Sequence, residues 1–299
     1  MPEPPDLVEP AIVEILARCT FDPAGTPVVC AVSGGADSLA LLALAAAAGL
    51  RVTAVHVDHG LRPGSALEAD VVAAAAARFG ADFAARVIDL DDGPDLEQRA
   101  RLARRQVLGP GALTGHTADD QAETVLINLL RGAGPAGLGA MRPGPDKPLL
   151  ALRRTETADL CRRLGLTPVV DPSNDDRRFV RNRLRHEAIP LLADIAGRDV
   201  VPLLTRTAAL GRSVGDDLDA LAANLDPTDT RSLARQPPAV AVAALRRWLR
   251  DERGHPPTSA ELARVLDVVH HRAAGCELRG GRRVYRSGGV LRLVPPAES

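Results

Sequence analysis

Hydrogen-bond donors, two glycines and one carboxylate stand together directly after an apolar segment at residues 28–32. The group consists of Ser33, Gly34, Gly35, Ala36, Asp37 and Ser38. An alanine- and leucine-rich run follows, which predicts a strand that turns through the glycines into a helix. Backbone N–H groups at a helix start bind anions, and glycine lets a phosphate approach closely. A carboxylate beside a phosphate needs a divalent cation between them, so Asp37 is the candidate metal ligand.

The same run has a simpler interpretation as an ordinary tight turn between a strand and a helix, which two glycines alone would favour. It is not a Walker loop, because Gly-Lys-Ser/Thr is missing and the only lysine of the chain is Lys147. Serine and aspartate at these offsets from the glycines favour nucleotide binding over the simple turn.

A second apolar segment, residues 51–57, ends in a polar run that contains His56 and Arg62. Backbone groups of this run are placed to read the edge of a purine, with Arg62 near a phosphate. The alternative is a polar strand end that carries surface histidines. This run taken alone favours the alternative.

A third polar run contains His116, Asp120 and Glu123 at the predicted start of a helix over residues 118–130. Thr117 as the N-cap and Asp120 as its partner explain part of the run. Asp120 and Glu123 share a helical face, and His116 precedes the helix near the same side. An imidazole with two carboxylates can bind Mg²⁺ or the ammonium of an amine substrate. An ordinary capped helix explains this run about equally well.

A basic segment follows later in the chain and runs into a helix predicted over residues 179–192, which Pro190 stops or kinks. Its arginines are Arg177, Arg178, Arg181, Arg183 and Arg185. A solvated helix face is the interpretation that this segment alone favours. The functional interpretation is contact with RNA phosphates or with a substrate carboxylate.

Strand and helix patterns alternate from residue 28 to residue 130, which predicts an α/β domain whose mainly parallel sheet has helices on both faces. The polar runs follow the strands, so they are expected to meet at the carboxyl edge of the sheet. Residues 132–149 form a Gly- and Pro-rich loop, interpreted as a lid or substrate loop. From about residue 200, long helices precede three short strands. The predicted domains are residues 1–195 and a smaller α+β domain, residues 196–299.

Composition excludes several classes of protein. The net charge is −1 and aromatic residues are 2%, so only local clustering of arginine speaks for nucleic acid. The four cysteines form no CxxC pair, which argues against a disulfide framework, a zinc site or an iron–sulfur site. The longest apolar segment, residues 39–50, is too short to span a bilayer, and no signal-type run begins the chain. We expect a cytoplasmic protein without membrane contact.

Several motifs together carry a resemblance to a known family. Residues 33–38 resemble the PP-loop of ATP pyrophosphatases, whose fold is adenine nucleotide α-hydrolase-like. The motifs, in order, are Ser33-Gly-Gly-Ala-Asp-Ser38, His56-Val-Asp-His-Gly-Leu-Arg62, His116-Thr-Ala-Asp-Asp-Gln-Ala-Glu-Thr124, Arg131-Gly-Ala-Gly, Gly137-Leu-Gly-Ala-Met141, and Asp171-Pro-Ser-Asn with Arg181-Asn-Arg-Leu-Arg185. They resemble the tRNA(Ile)-lysidine synthase family over about residues 25–195, and residues 245–294 resemble more weakly its tRNA-binding domain.

The resemblance implies a two-step ligation that uses ATP and Mg²⁺. The oxygen on carbon 2 of the first anticodon cytidine attacks the α-phosphate, pyrophosphate leaves, and the ε-amine of lysine then displaces AMP. Residues 33–38 would hold the pyrophosphate, and Asp120 with Glu123 would hold the amine. The implied base is His116 or Asp120. Arg101 would stabilise phosphate charge, and Arg183 or Arg185 would contact the lysine carboxylate or the tRNA.

The implied partners are tRNA(Ile) with a CAU anticodon, free L-lysine and, as an open alternative to a monomer, a second copy of the chain. Three other functions compete with this one. A PP-loop enzyme that thiolates tRNA would need paired cysteines or a cluster. A PP-loop amidating ligase for small molecules would not need the arginine-rich segment. A noncatalytic nucleotide- or RNA-binding protein would not need Asp37, Asp120 and Glu123 together.

Overall fold

The computed structural model describes residues 9–58, 65–88, 96–170, 176–251 and 254–296. Two residues of the predicted site fall outside this description. Arg62 lies in the segment 59–64, and the side chain of Arg101 is not described although its backbone lies in a helix. The chain divides into two compact units, Met1–Thr124 with Met141–Thr205, and Val125–Ala140 with Arg206–Ser299.

The first unit contains a four-stranded sheet in which every strand pair is parallel, with the order β3-β2-β1-β4. Its strands are β1 Pro27–Ala31, β2 Arg51–Asp58, β3 Asp82–Val87 and β4 Leu113–Thr114. Helices separate the strands, which confirms the predicted α/β fold with a mainly parallel sheet. The chain moves from β1 outward to β3 and then places β4 on the other side of β1. The strand order therefore reverses between β1 and β4, and ligands of such sheets bind in the crevice at that point.

The described part of the chain contains α-helices throughout, and one of them lies over residues 118–130, where the sequence predicts it. They are α1 Pro10–Leu16, α2 Ala36–Ala47, α3 Ser65–Arg78, α4 Leu96–Leu108, α5 Ala118–Leu130, α6 Pro135–Leu138, α7 Arg154–Arg163, α8 Val180–Arg183, α9 Ile189–Ala196, α10 Val201–Leu221, α11 Thr230–Ala234, α12 Pro238–Trp248 and α13 Ser259–Val269. Helix α2 is apolar on nearly all sides and buried from Ser38 to Ala45, so it forms the centre of the first core. Leu149, Leu152 and Leu160 pack in the same core.

The helix predicted over residues 179–192 continues beyond Pro190. A π-helical turn, Leu184–Ala188, joins α8 to α9, and Pro190 lies in the first turn of α9. The first turn of a helix tolerates proline, because its missing N–H has no intrahelical partner there. The helix ends instead at Ala196, where Gly197 takes a positive φ of 61°.

The second unit contains an antiparallel sheet of three strands, β5 Gly275–Glu277, β6 Arg283–Ser287 and β7 Val290–Val294. Helices α12 and α13 share its core with Val284 and Leu291. This confirms the predicted α+β character. The short helix α11 was not predicted; Asp229 caps it by accepting a hydrogen bond from Arg231 N–H.

Part of the predicted loop over residues 132–149 is ordered as α6 in the second unit. Gly211 of α10 lies against it, since a Cβ at Gly211 would sit 2.6 Å from the carbonyl oxygen of Pro135. Arg212 donates a hydrogen bond of 2.6 Å to the carbonyl oxygen of Gly139. Close packing therefore fixes this part of the loop on α10. In the described part of the chain, no helix is long and apolar enough to cross a membrane.

Candidate active site

Ser38 closes the loop between β1 and α2. Its hydroxyl accepts a hydrogen bond from the Ser33 N–H at 3.1 Å and donates to the carbonyl oxygen of Gly35 at 2.8 Å. Gly34 has a φ of +86°, a backbone conformation that residues other than glycine rarely adopt. The carbonyl of Gly34 accepts from Val169 N–H at 3.0 Å, which ties the loop to the segment after α7.

The loop leaves several backbone donors at the start of α2. Gly35 is the N-cap and supplies no side-chain oxygen. The N–H groups of Gly34, Gly35, Ala36 and Asp37 donate to no backbone carbonyl among the residues that the structure describes. Together with the helix macrodipole they form the anion-binding arrangement that the sequence predicts.

Gly115 brings the end of β4 against this helix start. A Cβ at Gly115 would lie 2.7 Å from the carbonyl oxygen of Asp37 and 3.1 Å from Ser38 N. Backbone atoms cannot rotate away, so only glycine fits at this contact. Gly115 was not among the predicted site residues, although a glycine directly after a strand at a predicted ligand edge is a usable signal. The close contact places His116 and the start of α5 beside the loop.

His116 is held through its Nδ1, which lies 2.7 Å from the Thr114 hydroxyl. That hydroxyl also lies 3.1 Å from the carbonyl oxygen of Asp146, which can only accept. The single hydroxyl proton therefore goes to Asp146, and the hydroxyl accepts from Nδ1–H. In this arrangement Nε2 is the basic nitrogen of His116.

Asp120 caps the start of α5, as predicted. Its Oδ2 accepts from Thr117 N–H at 2.9 Å and from the Thr117 hydroxyl at 3.0 Å. Its Oδ1 faces the other way and accepts from Arg154 at 3.0 Å. Capping and ion pairing thus use different oxygens of one carboxylate, which confirms the predicted cap.

Arg154 joins the loop after β1 to the acids on α5. Its guanidinium lies 3.4 Å from Asp37, 3.0 Å from Asp120 and 3.2 Å from Glu123. Asp37 also accepts from the hydroxyl of Thr157. Arg154 was not among the predicted site residues, because it lies 117 residues from Asp37 and forms no local motif with it.

Two more arginines reach Glu123 from the segment around the π-helical turn. The Nε atoms of Arg181 and Arg185 lie 2.6 Å and 2.7 Å from the carboxylate oxygens of Glu123. Arg183 lies elsewhere: its side chain is 62% exposed and is 3.4 Å from Glu187. Residues four apart lie on the same face of a helix, whereas a residue two positions away points elsewhere. Arg181 and Arg185 therefore reach the acids, and Arg183 does not.

These side chains form one group that we call the carboxylate–arginine cluster. Its members are Asp37, Asp120, Glu123, Arg154, Arg181 and Arg185. Burial raises the pKa of Asp120, but the charges of Arg154 and Arg181 outweigh it and lower the pKa below its usual range. Burial dominates at Asp37 and raises its pKa, although Thr157 and Arg154 oppose the shift.

His56 is buried, with 2% of its surface exposed. Its Nδ1 lies 3.0 Å from the carbonyl oxygen of Val32, while its Nε2 has no hydrogen-bond partner among the described residues. The interpretation of His56 as a surface histidine is therefore wrong, because parallel pairing of β2 beside β1 encloses it. A buried nitrogen with no partner is consistent with the predicted contact to a ligand.

The described parts of the chain hold no group of three or more His, Cys, Asp or Glu side chains arranged for a metal ion. Mg²⁺ is commonly held by one or two carboxylates together with substrate phosphates. Asp37, beside the phosphate-binding N–H groups of the loop, fits that kind of site.

Comparison with known proteins gives the family. A PP-loop domain model matches residues 10–192, and a model described as the TilS substrate binding domain matches residues 229–291. The tRNA(Ile)-lysidine synthase of Nocardia farcinica is 46% identical over 294 residues, which cover 92% of this chain and 91% of that protein. The chain belongs to the tRNA(Ile)-lysidine synthase family. The enzyme of the same name from Rhodococcus erythropolis is 41% identical over 85% of this chain and 83% of its own.

A solved structure shows the same fold at low sequence identity. The U34-tRNA thiolase NcsA from Methanococcus maripaludis, solved with its [4Fe-4S] cluster, has a TM-score of 0.53 and 16% identity. The match covers 68% of this chain and 78% of that chain. At this identity the likeness shows the fold alone, and the thiolase activity of that protein does not carry over to this chain.

Proposed function

We propose that this protein ligates free L-lysine to carbon 2 of the first anticodon cytidine of tRNA(Ile) with a CAU anticodon, and that ATP is converted to AMP and pyrophosphate. One observation carries the proposal. Arg154 contacts Asp37 of the nucleotide loop and also Asp120 and Glu123 of the predicted amine site. The phosphate-binding loop and the predicted amine-binding acids are therefore parts of a single site, as the two-step ligation requires.

The first step uses the loop after β1. Its free N–H groups and Ser33 receive the pyrophosphate of ATP. Asp37 would hold the Mg²⁺, which would supply the positive charge that lets a carboxylate lie beside phosphates. The cytidine oxygen forms a bond to the α-phosphorus, and the bond to the pyrophosphate oxygen breaks. In this proposal His56 and Arg62 contact the nucleotide, and Arg101 stabilises the phosphate charge.

The second step uses the acids on α5, which hold the amine. A lysine amine has a pKa near ~10.4 in water and must lose a proton before it attacks. His116 is the better base of the two that the resemblance implies. The arginines lower the pKa of Asp120 and make it a weak base, whereas His116 offers a basic Nε2. Arg185, rather than the exposed Arg183, lies beside the acids and is placed to contact the lysine carboxylate.

The target cytidine has to leave its base stack to reach the sheet edge, so a single-stranded anticodon loop is a suitable substrate. We assign catalysis to residues 1–195 and further tRNA contacts to residues 196–299. A cytoplasmic location follows from the tRNA substrate. The oligomeric state stays an expectation, and sedimentation of the purified protein distinguishes a homodimer from a monomer.

The test is a ligation assay with purified protein, ATP, labelled lysine and tRNA(Ile) with a CAU anticodon. We expect label in the tRNA and lysine-dependent release of AMP. The matched control is the same tRNA with a GAU anticodon, which should stay unlabelled. Equal labelling of both tRNAs, or no labelling of either, would refute the proposal.

Replacement of Asp37 by alanine tests the assignment of the loop. Asp37→Ala should abolish pyrophosphate release in the presence of tRNA and ATP, because it removes the carboxylate that holds the Mg²⁺. Thr157→Val removes the hydroxyl partner of Asp37 and leaves the carboxylate, so it serves as the milder control. Unchanged pyrophosphate release by Asp37→Ala would show that the loop is misassigned.

A further inference from the structure

The two acids assigned to the amine already have cationic partners. The side chain of Glu123 is 0% exposed, and its oxygens accept from Arg154, Arg181 and Arg185. Asp120 accepts from Thr117 through Oδ2 and from Arg154 and Arg181 through Oδ1. An amine that enters this site meets carboxylates whose charge is already compensated.

The charges that surround Arg154 come from several elements. They are Asp37 on α2, His116 before α5, Asp119, Asp120 and Glu123 on α5, Arg153 beside it on α7, and Arg181 and Arg185 on the 180–188 segment. Within the carboxylate–arginine cluster, three carboxylates face three guanidiniums, and Arg153 pairs outside the cluster with Asp119 and Asp199. An ammonium would add an unpaired positive charge at a largely buried place, whereas a neutral amine would add none.

We propose that Arg154 makes this site select the neutral form of the amine substrate. The inference rests on the proposed function, which puts the amine at Asp120 and Glu123. Lysine therefore loses its ammonium proton to solvent before it binds, and the nitrogen arrives with its lone pair available for attack on carbon 2 of the adenylated cytidine. The C–N bond forms, and the bond from carbon 2 to the AMP oxygen breaks with its electron pair going to AMP. The base of the proposed function, His116, then takes the N–H proton that is released as the C–N bond forms.

Arg154 is the member of the cluster best placed for this role. It is the only one of the cluster's three arginines whose described contacts reach Asp37 as well as both acids on α5. It therefore neutralises Asp120 and Glu123 from the side of the nucleotide loop, where the adenylated cytidine must lie in the proposed function. Arg154 is a positioning residue here, because it acts through the carboxylates.

The experiment measures the second step alone. The protein is first incubated with ATP and tRNA(Ile), and lysine is added afterwards. For the unaltered protein at a pH below the amine pKa, each rise of one pH unit should lower the KM for lysine about tenfold, since it raises the neutral fraction of the amine tenfold. Arg154→Gln should bind the ammonium, so its KM at neutral pH should fall and lose its pH dependence. Its kcat should fall by about three orders of magnitude at neutral pH, which is about three units below the amine pKa of ~10.4, and should recover as the pH rises.

Two variants show whether the charge matters rather than the fold. Arg154→Lys keeps the charge and should keep the steep pH dependence. Arg153→Gln removes the neighbouring guanidinium, which contacts Asp119 and Asp199 instead, and should behave like the unaltered protein. A higher KM for Arg154→Gln with an unchanged pH profile would show a merely structural role and overturn the inference.

A measurement on the unaltered protein keeps the inference testable if Arg154→Gln does not fold. S-(2-aminoethyl)cysteine has a less basic side-chain amine than lysine, so it should show the lower KM at neutral pH. Equal KM values, together with a KM for lysine that does not change with pH, would overturn the inference. Asp120→Asn and Glu123→Gln test the proposed function separately: unchanged KM values for lysine in these variants would refute the amine site itself.

Discussion

Replacement of Gly115 by alanine perturbs the contact that joins β4 to the nucleotide loop. The added Cβ would lie 2.7 Å from the carbonyl oxygen of Asp37 and 2.9 Å from its carbonyl carbon. Both are backbone atoms at the start of α2, so the helix start or the strand end has to move by several tenths of an ångström. Overpacking of this kind costs about 1–3 kcal/mol.

That cost predicts a fall in Tm of about 2–12 °C, since 1 kcal/mol shifts Tm by roughly 2–4 °C in a protein of this size class. The displaced atoms belong to Asp37, so we also expect a higher KM for ATP in the release of pyrophosphate. Thermal unfolding and pyrophosphate release measure the two effects on the same sample.

Gly134→Ala is the matched control for Gly115→Ala. Nothing lies within 4 Å of a Cβ at Gly134, and its φ of −73° suits alanine. This variant should keep both the Tm and the KM for ATP. Equal Tm values and equal KM values for ATP in the two variants would show that the backbone contact at Gly115 is not tight.

Two further predictions concern the charged side chains. The pKa of Asp120 is lowered in the folded protein, so its contribution to stability is present above the ordinary carboxyl pKa of about 3.9 and is lost as the pH falls through the folded pKa. Asp120→Asn should therefore narrow the difference in stability between neutral and acid pH, measured by urea unfolding; an identical pH dependence contradicts this. Arg185→Gln should lower Tm because it removes a partner of the buried Glu123, whereas Arg183→Gln, whose side chain is exposed, should not; equal Tm values for these two variants contradict the assignment.

Local pattern was sufficient for most of the fold. Residues 28–48 combine a β-branched run, two glycines and an alanine–leucine run, and each of these favours one conformation by itself. The structure places β1 and α2 within one residue of those limits. The Thr117–Asp120 cap could also be predicted from the sequence, because a capping pair acts within one turn of helix.

Some features escaped the sequence because they depend on contacts between distant residues. The burial of His56 follows from the pairing of β2 with β1, and nothing in the residues around His56 distinguishes a buried histidine from a surface one. The short helix α11 has one capping aspartate and too few residues for a periodic pattern.

The sequence by itself determined the α/β fold, the nucleotide loop and the family, because these depend on patterns within short segments. Only the tertiary structure decided which arginines meet the acids. Arg154 comes from α7, and Arg181 and Arg185 share a helix face that the sequence could not orient. The physical reason is that charge pairing acts over a few ångströms in space, whatever the separation along the chain.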